Sequence, residues 1–151
     1  MNKKARKKYE IDSKIIDILL FNSKTPYREI ASKLKISVGT VTNKIKQLEK
    51  NGIIKRYTVT VDYDKLGYVF EVLIFVKIAK GKFPILFEKY IKSDSVFVIY
   101  DITGNFDAVI SAKFKNRRDL DDFIKKIQAE EYVNYTNTNL ILNINREEKV
   151  T

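Results

Sequence analysis

The stretch that decides the fold of the N-terminal part is Tyr27-Arg-Glu-Ile-Ala-Ser-Lys-Leu34, then Lys35-Ile36, then Ser37-Val-Gly-Thr-Val-Thr-Asn-Lys-Ile-Lys-Gln-Leu-Glu-Lys-Asn-Gly52. In its second half Val41, Ile45 and Leu48 recur at i, i+4 and i+7, the spacing of one stripe of an α-helix. Ser37 stands in front of that helix as an N-cap candidate, and Asn51-Gly52 ends it with residues that tolerate positive φ. In the first half Ile30, Ala31 and Leu34 form the inner face of a shorter helix, with only Lys35-Ile36 between the two. Two helices joined by so tight a turn read as a helix-turn-helix. Its second helix can present polar side chains to base edges in the DNA major groove.

Working outward, Ile11, Ile15, Ile18 and Leu19, reinforced by Ile16 and Leu20, predict an amphipathic helix from Ile11 to Phe21, broken by Asn22-Ser23-Lys24. Thr25-Pro26 then offers a hydroxyl at an N-cap and proline at the first helical position. Ahead of the first helix, Lys3, Lys4, Arg6, Lys7 and Lys8 read as a solvated basic tail over residues 1–8. Downstream, Tyr57-Thr-Val-Thr-Val-Asp-Tyr63 alternates apolar with polar positions, the period of a half-buried strand that bridges to the rest of the chain.

After Gly67 the pattern is strand (Val69 to Ala79), helix (Phe83 to Lys92), strand (Val96 to Thr103), tight turn, strand (Asp107 to Phe114), helix (Arg117 to Ala129) and strand (Tyr135 to Asn145). That order, β-α-β-β-α-β, is the ferredoxin-like arrangement, so the chain reads as α+β. The first of these strands is apolar on both sides, with Phe70, Val72, Ile74, Val76 and Ile78 on one and Val69, Leu73 and Phe75 on the other. Helices cover only one face of such a sheet, and the second predicts burial against another sheet, most simply in a homodimer. The implied division is a tail at 1–8, a winged helix-turn-helix at 9–56, a bridging strand and linker at 57–66, and a ferredoxin-like domain at 67–151.

Charge separates the two parts functionally. The 151 residues hold 29 Lys+Arg and 19 Asp+Glu, a formal charge of +10, with no histidine and no cysteine. Residues 1–66 carry 16 basic and 7 acidic residues, a balance of +9, and residues 67–151 carry 13 and 12, a balance of +1. The basic half is therefore the one that faces a polyanion. Lys33, Lys44, Lys46, Lys55 and Arg56 are candidates for phosphate contacts, which position a protein on DNA without reading sequence. Ser37, Gly39, Thr40 and Asn43 are candidates at base edges, asparagine pairing bidentately with adenine.

The absence of His and Cys removes thiol and imidazole nucleophiles, acid/base pairs and Cys/His zinc sites, so no catalytic residue, metal or cofactor is expected. No apolar run is long enough to span a bilayer, and the basic N-terminus leads to Tyr9-Glu10 rather than to an apolar leader segment; a cytoplasmic protein without membrane contact is expected.

The run Asp12-Ser-Lys-Ile-Ile-Asp-Ile-Leu19, then Tyr27 to Leu34, then Ile36 to Thr58 resembles the winged helix-turn-helix of the leucine-responsive/asparagine-synthesis regulators (Lrp/AsnC), also called feast/famine regulatory proteins. The likeness continues through Asp62 and Leu66-Gly67, and it includes a Thr/Ser-Gly-x-x-Asp turn, here Thr103-Gly104-Asn105-Phe106-Asp107. It covers about residues 10 to 145.

By itself that turn is good hairpin chemistry, in which Asp107 bonds local backbone N–H groups. The resemblance implies more: an amino-acid effector site at dimer–dimer contacts, built from Thr103, Gly104, Asn105 and Asp107 and from the last strand at Thr136 and Thr138. It also implies double-stranded DNA as partner and higher homo-oligomers such as an octamer. Tyr100 and Tyr135 read as core or interface aromatics.

Four positions depart from the family pattern: Lys35 stands where glycine is usual, Lys44 replaces arginine, Asn105 an acidic residue, and Tyr132 a glycine. The expected function is a sequence-specific transcription regulator modulated by an amino acid or similar small molecule. The alternative is an architectural DNA-coating protein with no effector. An enzyme is not expected.

Overall fold

The computed structural model describes the backbone of residues 3–144 and the side chains of residues 10–144. The chain divides into two compact units, with the boundary between Thr60 and Val61.

The first unit holds α1 (Lys3–Phe21), α2 (Tyr27–Leu34) and α3 (Val38–Lys50). Ile15 and Leu19 of α1, Ile30 and Ala31 of α2, and Val41, Ile45 and Leu48 of α3 are buried in one core, with Ile11, Ile16, Ile18, Leu34, Ile36 and Ile54 packed around it. The stripes read from helical spacing are thus the core.

Helix α3 is sealed at both ends. The Ser37 hydroxyl accepts the Thr40 N–H at 3.1 Å, an N-cap worth about 1 kcal/mol. At the other end Ile53 N–H reaches Leu48 O at 2.9 Å and Gly52 N–H reaches Glu49 O at 2.9 Å, with Gly52 at φ 68°. That pair of bonds is a Schellman motif, which satisfies the last carbonyls.

Three expectations change here. Helix α1 begins at Lys3, not Ile11, so residues 3–8 are helical backbone rather than a separate tail. Lys, Ala and Arg are good helix formers, and no Gly or Pro interrupts residues 3–21. The side chains of that basic cluster lie outside the described residues. Thr25 does not cap α2: Pro26, at ψ 140°, is the cap residue. The Thr25 hydroxyl instead donates to Asn22 O at 2.7 Å, tying the preceding turn. Among the described residues, 57–63 form no strand, and Tyr57 and Val59 are exposed.

The second unit has a 3-10 turn (Asp64–Leu66), β1 (Phe70–Ile78), α4 (Phe83–Tyr90), β2 (Val96–Asp101), β3 (Ala108–Phe114), α5 (Arg117–Gln128) and β4 (Val133–Leu140). The sheet order is β2-β3-β1-β4 with every pair antiparallel, the ferredoxin-like topology. Val72, Ile74, Val76 and Ile78 of β1, with Ala108, Ile110, Ala112 and Phe114 of β3, are buried with Leu86 and Tyr90 of α4 and Phe123 and Ile127 of α5. The last strand ends earlier than expected, at Leu140, although Ile141 N–H still reaches Glu71 O at 2.8 Å.

The opposite face of the sheet carries Leu73 and Phe75 of β1, Val98 and Tyr100 of β2, Val109 and Ser111 of β3, and Tyr135 of β4, with Tyr100 57% and Tyr135 58% exposed. One end of it is covered from within the unit. Lys113 pairs with Glu71, and its ammonium lies 4.8 Å from the Tyr63 ring and 5.4 Å from that of Phe97. Away from that end Leu73, Phe75, Val98 and Ser111 are half-buried and Val109 is buried, while Tyr100 and Tyr135 are exposed.

Lys35, the departure from glycine, adopts φ 52° and ψ 45°, the left-handed conformation that costs a side-chain-bearing residue about 1 kcal/mol. Its N–H serves Ala31 O and Ser32 O, so the turn needs this geometry. Lys35→Gly is expected to raise the unfolding free energy of the first unit by about 0.5–1 kcal/mol in denaturant titration. A loss of stability would show that the lysine side chain supports the turn.

Candidate DNA interface and turn site

The face of α3 opposite Val41, Ile45 and Leu48 follows from helical geometry: Gly39, Asn43, Lys46 and Lys50 fall at i, i+4, i+7 and i+11, and all are exposed. Lys50 was not among the residues singled out from the sequence, although its place four residues after Lys46 gives it away. Gly39 is not required by packing. A Cβ placed there meets nothing nearer than the Ser37 Oγ, at 3.9 Å. An open glycine in the first turn lets a large surface approach that turn closely.

The remaining candidates divide into free and engaged groups. The Ser37 and Thr40 hydroxyls hydrogen-bond each other at 2.8 Å while Ser37 caps the helix, so both are held in fixed positions at its N-terminus. Lys46, Lys55 and Arg56 are exposed and make no ion pair among the described residues. Lys33 pairs with Glu29 on the surface of α2 at 2.8 Å. Tyr57 donates its hydroxyl to Glu49 at 2.8 Å, folding the chain after Arg56 back onto α3. Burial and the nearby Glu49 carboxylate push the Tyr57 hydroxyl up to about 12, so it stays protonated and keeps donating.

Lys44 is the exception. Its ammonium meets the Asp12 carboxylate of α1 at 2.5 Å, and the two side chains are only 15% and 18% exposed. Lys44 lies at the border of the face packed on α1, not on the outward stripe. It therefore belongs to the helix packing rather than to the free cations, a partition that sequence spacing could not show.

In the second unit the turn Thr103–Phe106 joins β2 to β3 and is closed by Ile102 N–H to Asp107 O at 3.0 Å. Gly104 takes φ 111°, which demands glycine whatever the space around it. Asp107 is engaged on three sides. Its own N–H reaches Val76 O at 3.0 Å; its carboxylate accepts Ile78 N–H at 2.7 Å and the Lys77 ammonium at 3.0 Å. Ile78 lies two residues beyond Val76, where β3 has ended, so the carboxylate serves an N–H that the ladder leaves over. The Ile78 N–H, and after it Lys77, hold the Asp107 carboxyl below the usual carboxylate range.

The structure separates the predicted effector residues. Lys77, and with it the Asp107 carboxylate, is on the open face of the sheet, because its neighbours Val76 and Ile78 point to the helices. Thr136 pairs with Val76, and its hydroxyl accepts from Gln128 of α5 at 2.9 Å, so Thr136 and Thr138 are on the helix face. Within one chain these residues do not form one pocket.

What gathers beside Asp107 is aromatic. Phe106 lies 5.4 Å from Phe75 and 5.9 Å, nearly parallel, from Tyr135. Phe106 was not singled out from sequence, since nothing about a turn residue announces that it folds across a sheet. Thr103, Gly104 and Asn105 are exposed. Among the described residues no cluster of His, Cys, Asp or Glu could hold a metal, and no helix is long and apolar enough to cross a membrane.

Comparison with known proteins agrees with both units. A family model described as winged helix-turn-helix DNA-binding matches residues 10–55, and one described as the Lrp/AsnC ligand-binding domain matches residues 71–150. The HTH-type transcriptional regulator PH1692 of Pyrococcus horikoshii is 42% identical over 139 residues, covering 91% of this chain and 93% of its own. LrpC of Bacillus subtilis superposes with a TM-score of 0.82 at 28% identity, over 91% of this chain and 96% of its own. The Neisseria meningitidis regulator NMB0573, solved as a complex with L-methionine, shares the fold with a TM-score of 0.84 at 19% identity, over 100% of this chain and 96% of its own. With its capped helix-turn-helix and its ferredoxin-like sheet, the chain belongs to the Lrp/AsnC family of DNA-binding transcriptional regulators.

Proposed function

We propose that this regulator reads specific DNA sequences through the outward face of α3 and that an amino acid modulates its assembly or its affinity for DNA. The observation that carries the first half is the stripe Gly39, Asn43, Lys46 and Lys50, exposed along the side of α3 opposite its buried stripe. Asn43 is the side chain suited to a base edge, Ser37, Gly39 and Thr40 bring the helix start close to the duplex, and Lys46, Lys55 and Arg56 neutralise phosphates. Two copies joined through the open sheet faces would set two such helices on half-sites about one helical turn, or a multiple of it, apart. Higher homo-oligomers, up to an octamer, would engage several sites, and the protein would work where the DNA is, in the cytoplasm.

The effector half rests on the turn Thr103–Asp107 and on the complex of the Neisseria protein with L-methionine. Thr136 and Thr138 face away from Asp107 within one chain, which favours a site made by two copies: Thr103, Gly104, Asn105 and Asp107 from one, the last strand from another. Turn N–H groups suit a carboxylate, and the Asp107 carboxylate suits an α-ammonium. The reading assigns no catalytic role to any residue and no metal or cofactor.

Removing the free cation, Lys46→Ala, is expected to weaken binding alike on specific and random duplexes and to flatten the salt dependence by about one counterion. Asn43→Ala should instead lose about 1–3 kcal/mol on the specific duplex only. A change of base preference in the lysine variant would reverse the two roles, and equal binding of every duplex by the native protein would favour the DNA-coating alternative. For the effector, the thermal midpoint and the mass in solution should shift with at least one amino acid of a panel that begins with L-methionine. Asp107→Asn keeps an acceptor for Ile78 and should retain the fold but lose that shift; a retained shift would remove Asp107 from the site.

A further inference from the structure

The recognition helix carries three lysines, Lys44, Lys46 and Lys50, and Lys55 follows it in the chain, yet the four are not equivalent. Lys46, Lys50 and Lys55 are exposed and without an ion pair among the described residues. Lys44 is held at 2.5 Å by a carboxylate 32 residues earlier in the chain, in a pair from which water is mostly excluded. We infer that Asp12 is a positioning residue that limits sequence-independent binding: by keeping the Lys44 ammonium on the α1 side of the recognition helix it withholds one cation from the phosphate backbone.

The reasoning rests on the reading that α3 docks on DNA, and then on charge accounting. Non-specific binding is almost wholly phosphate neutralisation, and each lysine that reaches a phosphate raises affinity on every sequence alike. Specificity is the ratio between the right site and the large excess of wrong ones, so a cation that helps both equally adds nothing to the ratio while holding the protein on random DNA.

Lys44 could reach a phosphate only by leaving the Asp12 carboxylate partly buried and unpaired, which is strongly unfavourable. The pair therefore lets α3 keep a long side chain for packing against α1 without adding its charge to the interface. Lys44 thus leaves the set of phosphate contacts expected from sequence, and Asp12, which touches no DNA in this reading, enters the set of residues that govern how strongly the protein holds DNA of any sequence.

The test uses the full-length protein on a random duplex and on the best duplex selected from a random pool, titrated between 50 and 200 mM salt. Asp12→Asn keeps the size of the side chain and frees Lys44. It should steepen the salt dependence by about one counterion on the random and the selected duplex alike, a roughly three- to fourfold larger loss of affinity across that range, with the specific-to-random ratio unchanged.

Lys44→Gln should leave the native slope unchanged. The double variant Asp12→Asn/Lys44→Gln, which strands no charge and so keeps the test decisive if a single variant fails to fold, should also match the native slope. A double variant flatter than the native protein by about one, as expected of Lys46→Ala, would show that Lys44 already contacts a phosphate and would overturn the inference. So would a folded Asp12→Asn protein with an unchanged slope. If the native protein binds neither duplex, the DNA reading itself fails and the inference with it. If the native protein and Lys46→Ala behave as expected while Asp12→Asn does nothing, only the inference fails.

Discussion

A helix that buries one side must show the other, and in this protein that constraint falls on α3. Val41, Ile45 and Leu48 are committed to a core shared with Ile15 of α1 and Ile30 of α2. Burying side chains of this size contributes about 1.5–3 kcal/mol each, which outweighs the few tenths that surface preferences contribute along the helix. The Ser37 cap and the bonds closing at Gly52 fix where the helix starts and stops. Rotation and length being set, the outward stripe through Gly39, Asn43 and Lys46 is set as well. The outward surface of α3 is therefore a consequence of the core.

The same logic explains what the sequence disclosed and what it withheld. Stripes that recur with helix or strand period follow from burial, so α2, α3 and the two-faced β1 could be read directly, and the αL turn at Lys35 was visible as a position where glycine is usual. Features that depend on what a residue meets elsewhere in space could not. The partnership of Asp12 with Lys44 spans 32 residues and two helices. Tyr57–Tyr63 has the alternation of a strand, but alternation describes only the sides a segment shows, and among the described residues this one joins no strand of the sheet. Thr25 and Pro26 erred by a single position because the Thr25 hydroxyl found a closer acceptor in the preceding turn.

The second unit shows a different limit. The turn from Thr103 to Asp107 was recognisable, and Gly104 has the positive φ that its motif requires. Asp107 serves the sheet itself, through Ile78 and Lys77. Strand alternation puts Thr136 and Thr138 on the other side of the sheet, so one chain brings only part of the expected set together. Phe75, Phe106 and Tyr135 converge there instead, on an open face whose remaining side chains are partly apolar. On the proposed two-copy site, a ligand that needs both sets would favour the assembled state over the separate one.

The central claim is that the outward face of α3 reads base sequence. Selection of bound duplexes from a random pool by the full-length protein tests it most directly. The account predicts enrichment of a two-fold-symmetric motif whose half-sites are separated by about one helical turn or a multiple of it, and loss of that motif with Asn43→Ala. A pool that remains random after repeated selection, or a motif that survives the Asn43 substitution unchanged, would contradict it.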